Sequence, residues 1–172
     1  KQEEHPIASD KYGWELVLVN RDNYIPDDYE MDLMELSNGQ KIDSRIYPYL
    51  QEMFDDARNA GVYPFVRDGY RTAEEQQILD DKIASYRSEG YTKHMAEETA
   101  MEWVALPGTS EHQLGLAVDI NADTSKCSRD DVYNWLLENS YKYGFIQRYP
   151  SGKTSITRVA NEPWHYRYVG KE

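Results

Sequence analysis

Two hydrophobic periods alternate along this chain. Residues 14–20 (WELVLVN) hold four consecutive apolar positions, Leu16 to Val19, which predicts a largely buried strand. Residues 21–43 are mixed, with Pro26 and an Asn38-Gly39 turn signal. Ile46, Leu50, Met53, Phe54 and Ala57 then recur at helical spacing, so they share one face of a helix over 44–60 that Gly61 stops. A short strand is expected at 62–67. Thr72-Ala73-Glu74-Glu75 has the form of a capping box, in which a hydroxyl and a carboxylate satisfy the free amides of a first helical turn. It opens a helix over 73–88 with Ile78, Leu79 and Ile83 inward. A further helix over 93–104 carries Met95, Ala96, Thr99, Ala100 and Trp103, and Pro107-Gly108 ends it.

Past residue 110 the period shortens. Residues 115–121 (GLAVDIN) read as a strand by their branched and apolar side chains. Ser128 caps a helix over 129–143, with Val132, Trp135 and Leu136 inward and Gly144 after it. Residues 145–149 and 154–159 flank Pro150-Ser151-Gly152 as a hairpin, and 164–169 form a last strand. Residues 1–13 are polar and aperiodic, a flexible lead-in ahead of one domain over 14–172. Helices come early and strands late, which favours α+β.

Composition narrows the function. The 172 residues suit one domain, and 15 tyrosines exclude a disordered composition; scattered Tyr suits half-buried packing better than glycan binding. A net charge of −12 repels phosphate, which argues against nucleic acid and anionic membrane as partners. The single cysteine, Cys127, rules out an intrachain disulfide and a cysteine zinc cluster. No run reaches the roughly 18–20 apolar residues of a membrane helix.

The chemistry concentrates on two of four histidines. His112 lies in Ser110-Glu111-His112-Gln113-Leu114-Gly115, just ahead of the strand that carries Asp119, and His165 closes Glu162-Pro163-Trp164-His165. Two imidazoles and a carboxylate make a zinc donor set with a fourth position open to water, and a further carboxylate beside the metal is needed to take a proton. Glu162, three residues before His165, suits that task. His94 and His5 read as surface residues.

Ser-x-His-x-x-Gly-x-Ala-x-Asp followed by Glu-Pro-Trp-His resembles the VanY-like D-alanyl-D-alanine carboxypeptidases and their LD-carboxypeptidase relatives. Gly69-Tyr70-Arg71-Thr72 with Gln76, Tyr143-Gly144-Phe145 and Trp164-His165-Tyr166-Arg167 extend the likeness over about residues 14 to 170. The resemblance implies a single domain whose small antiparallel sheet carries one zinc ion, with helices around it, of the Hedgehog/DD-peptidase type. It implies His112, Asp119 and His165 as ligands, Glu162 as base and Arg71 as the cation facing substrate. Ser110, Gln76, Trp164 and Tyr70 are candidate substrate contacts. The implied activity is removal of C-terminal D-alanine from peptidoglycan stem peptides or muropeptides, by an extracytoplasmic monomer, secreted or anchored at the bacterial cell surface through a segment ahead of Lys1. The alternatives are an LD-carboxypeptidase acting on tetrapeptide stems and a wall-binding module that has kept zinc for structure. Two positions depart from the family's usual pattern and bear on substrate preference: Asp68, where a small hydroxyl residue is frequent, and Arg158, near a frequent glycine.

Overall fold

The computed structural model describes residues 6–75 and 78–171, with Leu79 as backbone only. Leu33–Glu35 (β1) and Lys41–Asp43 (β2) form an antiparallel hairpin around Asn38-Gly39, where Gly39 takes φ 86°. The turn was legible in the sequence; its three-residue strands were too short to show a period. A 3₁₀ turn, Ser44–Ile46, leads into Tyr47–Asn59 (α1), whose Leu50, Met53, Phe54 and Ala57 are buried as the spacing requires.

The central sheet has the order β3-β4-β6-β5, antiparallel throughout: Pro64–Asp68 (β3), Ala117–Ala122 (β4), Phe145–Gln147 (β5) and His165–Tyr168 (β6). Side chains alternate across a strand. In β4 that alternation puts Val118 and Ile120 on one face and Asp119 and Asn121 on the other, and in β6 it separates Tyr166 and Tyr168 from His165 and Arg167. The first face packs with α1 and Arg129–Asn139 (α4) around Met53, Val66, Leu136 and Phe145, all buried. Each such side chain contributes about 1.5–3 kcal/mol by leaving water. Ser128 caps α4 in a full capping box with Asp131.

Ile78–Ser88 (α2) and Lys93–Met101 (α3) pack on each other as a helical hairpin. The capping box appears at Thr72 and Glu75, but the expected inward faces need correction. Ile78 is 50 % exposed, and Met95 and Trp103 are also exposed; the buried residues of α3 are Ala96 and Ala100.

Three further expectations are corrected. Residues 14–20 are not a strand: Trp14–Leu16 is a 3₁₀ turn, and the carbonyls of Glu15 and Val17 accept from the Arg167 guanidinium instead of from a neighbouring strand. Val17 and Val19 are buried while Leu16 and Leu18 are exposed, so the apolar run has only one buried side. Residues 154–159 do not return as a hairpin arm. Thr154–Thr157 is a short helix (α5) with Ile156 in solvent, and β6 pairs with β5 in its place. Within the expected lead-in, residues 6–13 are attached to the domain: Ala8 is buried, its amide donates to the Tyr24 carbonyl, and the Tyr24 amide donates to the Pro6 carbonyl.

Candidate active site

Sheet register builds the site. Asp119 in β4 stands opposite His165 in β6, so their side chains share one face. His112 comes from the 3₁₀ turn Glu111–Leu114, which delivers the chain into β4. Ser110 caps that turn by accepting from the His112 amide, and Gly115 ends it at φ 73°, a left-handed conformation that glycine adopts without a steric penalty. The result is a buried cluster of His112, Asp119 and His165 whose candidate donor atoms all lie within 4.8 Å of one another.

Hydrogen bonds outside the cluster decide which nitrogens face inward. His112 Nδ1 lies 2.8 Å from the Gly69 carbonyl oxygen, which can only accept, so Nδ1 carries the proton and Nε2 keeps a lone pair. His165 Nε2 lies 3.2 Å from Glu111 Oε2, which leaves Nδ1 facing the cluster. These inward nitrogens stand 3.2 and 3.1 Å from the same Asp119 oxygen, Oδ1. Two imidazole nitrogens and a carboxylate oxygen, each ring fixed by its other nitrogen, fit a zinc ion with an open position.

Electrostatics separate the carboxylates. Burial would raise Asp119, but His112 and His165 hold its carboxyl well below the usual range. Burial raises Glu162 to about 7, with His165 and Arg71 opposing and Asp119 adding to the rise. Its Oε2 is 3.8 Å from His165 Nδ1. Burial also disfavours a charged His165, yet the hydrogen bonds to Asp119 and Glu111 outweigh it and raise the imidazole to about 9.

The cluster opens into a cavity of about 160 Å³ lined in part by Arg71, Ser110, Tyr149, Glu162 and Trp164. Arg71 Nη2 is 3.9 Å from Asp119 Oδ2. Its position depends on Gly69: an added Cβ there would collide with the Lys41 carbonyl, the same oxygen that accepts from the Tyr70 amide, while the Arg71 amide donates to His112 O. Tyr70 is half-buried and outside the cavity lining, and Gln76 lies outside the described residues. Arg158 pairs with Asp22 and lines an adjoining depression, not the cavity itself. Asp68 stands opposite Asp119 across a bulge between β3 and β4. His94 is exposed, and Cys127 accepts from the Tyr63 amide.

Two features went unread in the sequence. Glu111 is buried, and it meets Arg148, Arg167 and His165 together. The signal was a carboxylate beside His112, but its partners come from β6 and the end of β5. Tyr149 was read only as a strand residue; its ring packs 4.8 Å from that of His165, and its carbonyl accepts from the Glu162 amide.

A family model described as VanY, D-alanyl-D-alanine carboxypeptidase, matches residues 39–171. A D-alanyl-D-alanine carboxypeptidase of Enterococcus faecalis is 58 % identical over 176 residues, or 99 % of this chain and 66 % of that protein. The chain thus spans just under two thirds of that relative's length. Two solved structures are each 62 % identical to the chain. VanYB in complex with D-alanine-D-alanine has a TM-score of 0.89 and covers 92 % of this chain and 88 % of its own. A VanY D,D-pentapeptidase in complex with Zn(II) has a TM-score of 0.87, with 92 % and 89 % covered.

Proposed function

The chain belongs to the VanY family of D-alanyl-D-alanine carboxypeptidases, and from that premise we propose that it hydrolyses the last peptide bond of peptidoglycan stem peptides ending in D-Ala-D-Ala. What carries the proposal is the convergence of His112, Asp119 and His165 on one point, with Glu162 and Arg71 in the same small cavity. His112, Asp119 and His165 would hold the zinc. When bound, zinc supplies Lewis acidity, making water acidic near neutral pH and polarising a carbonyl.

The remaining work falls to the chain's own residues. Glu162, in the same cavity beside the proposed ligands, takes the proton of the attacking water and returns it to the leaving amine of D-alanine. Arg71 presents several N–H donors in a fixed fork, suited to the developing oxyanion or to the substrate carboxylate. Asp119 Oδ2 holds that guanidinium on the cavity side. Trp164 and Tyr149 wall the cavity and limit water, and Ser110 is a candidate hydrogen-bond partner for the peptide. Wall peptides lie outside the cytoplasmic membrane, so the proposed site of action is extracytoplasmic. No helix among the described residues is long and apolar enough to cross a membrane.

The test is incubation of the zinc-loaded protein with a pentapeptide stem ending D-Ala-D-Ala and a tetrapeptide stem ending Lys-D-Ala, with products identified by mass. Loss of one alanine from the pentapeptide alone is the expected result. Loss from the tetrapeptide alone would make the protein an LD-carboxypeptidase. Binding of both without release of alanine would overturn hydrolysis in favour of a wall-binding module.

A further inference from the structure

The metal cluster rests on a carboxylate that does not belong to it. Glu111 precedes His112 in the 3₁₀ turn, borders the cavity and is buried against His165. Its side chain is 1 % exposed. Oε1 accepts from Arg148 Nε at 2.8 Å and stands 3.3 Å from Arg167 Nη1, while Oε2 faces His165 Nε2 at 3.2 Å. A buried carboxylate is costly unless its charge and lone pairs are met, and here two guanidiniums and an imidazole meet them. The register of β4 with β6 explains the meeting: His165 and Arg167 alternate onto the face that Asp119 occupies, so one carboxylate below that face reaches both.

We propose that Glu111 is a positioning residue of the metal centre: it accepts a hydrogen bond from Nε2–H of His165 and so presents Nδ1 of that ring as the ligand nitrogen. A neutral imidazole has one protonated nitrogen and one lone pair, and the partner of the first sets the direction of the second. Without Glu111 the ring would be free to turn about its χ2 bond or to change tautomer, and Nδ1 would lose its bias toward the metal. Arg148 and Arg167 hold the carboxylate in place from the other side. Arg167 in turn donates to the carbonyls of Glu15, Val17 and Tyr168, which ties this support to the N-terminal segment.

The proposal rests on the metal reading of His112, Asp119 and His165, and the experiment keeps the two apart. Zinc affinity is measured by chelator competition on the wild-type chain and on Glu111→Gln, with thermal melts of both. Nitrogen-detected NMR of the zinc-loaded wild type identifies the protonated nitrogen of His165. The expected result is zinc bound by the wild type with Nε2 of His165 protonated, and binding weakened about 10- to 100-fold in folded Glu111→Gln. If Glu111 merely neutralises two arginines, the variant melts earlier while its zinc affinity stays within twofold of wild type, and the proposal is overturned. Should the variant not fold, the wild-type spectrum decides: a proton on Nδ1 of His165 sinks the proposal. A wild type that binds no zinc at all brings down the metal reading itself.

Discussion

Glu111 and Glu162 are both buried and both within 4 Å of His165, yet their surroundings give them opposite chemistry. Glu111 is held at about 2 by two arginines and a hydrogen bond, whereas Glu162 is raised to about 7 because burial outweighs the cations near it. Pairs of titratable groups whose environments push them apart mark a division of labour: one keeps its charge and supports, the other exchanges a proton. Glu162→Gln preserves shape and removes the base, so D-alanine release should fall by ~10²- to 10⁴-fold while metal analysis still finds one zinc per chain. Activity retained in a zinc-replete variant would remove Glu162 from that role. At this scale the sequence was most informative where spacing carries geometry. Asp119 lies seven positions after His112, and Glu162 and His165 sit in one four-residue motif. Glu111 was illegible because nothing local reveals which arginines a carboxylate will meet once strands pair.

Among the elements, the junction of β3 with the β1–β2 hairpin controls the site. Beyond Asp68 the backbone passes so close to β2 that Gly69 has no room for a side chain against the Lys41 carbonyl. That approach sets the Tyr70 amide on Lys41 O, the Gly69 carbonyl on His112 Nδ1 and the Arg71 amide on His112 O. Gly69→Ala must therefore push β3 and the hairpin apart. The expected consequence is a lower melting temperature together with weaker zinc binding, since His112 loses the acceptor that orients it. Chelator competition and a melt of the same preparation check both. An alanine variant with unchanged zinc affinity would show that this junction does not orient His112. The sequence marked Gly-Tyr-Arg by resemblance, but the close approach comes from a hairpin whose short strands had no readable period. The same limit explains residues 14–20 and 154–159. Their composition allows a strand, but Arg167 takes the carbonyls of the first segment and β6 occupies the pairing edge sought by the second. The helices α1 and α4 were legible because each buries a face wide enough to impose its period.

Across the whole molecule, tyrosines join parts that the backbone does not. Tyr168 at the end of β6 stacks with Trp14 and Tyr49 and meets Phe145 edge-on, gathering the N-terminal segment, α1 and β5 around one ring. Tyr143 donates to Asp56 Oδ2 at 2.5 Å, joining the turn after α4 to α1. The abundance of Tyr in the composition thus reflects packing with a polar handle. It also sets an alkaline limit. Burial, with Asp56 adding, raises Tyr143 to about 12, and burial with the neighbouring Tyr49 raises Tyr168 to about 12. An unfolded chain releases the same protons near pH ~10, so the fold binds protons that the unfolded state has lost. Their contribution is complete below pH ~10 and disappears as pH rises through about 12. Urea midpoints should therefore fall steeply between those limits in a chain already carrying excess negative charge. Tyr143→Phe should cost about 1.5–3 kcal/mol at pH 8, the range for a hydrogen bond to a charged acceptor, and should flatten part of the alkaline loss. A variant whose stability falls as steeply with pH as the wild type would assign that loss to the other buried phenols, Tyr166 and Tyr168, and free Tyr143 of any part in it.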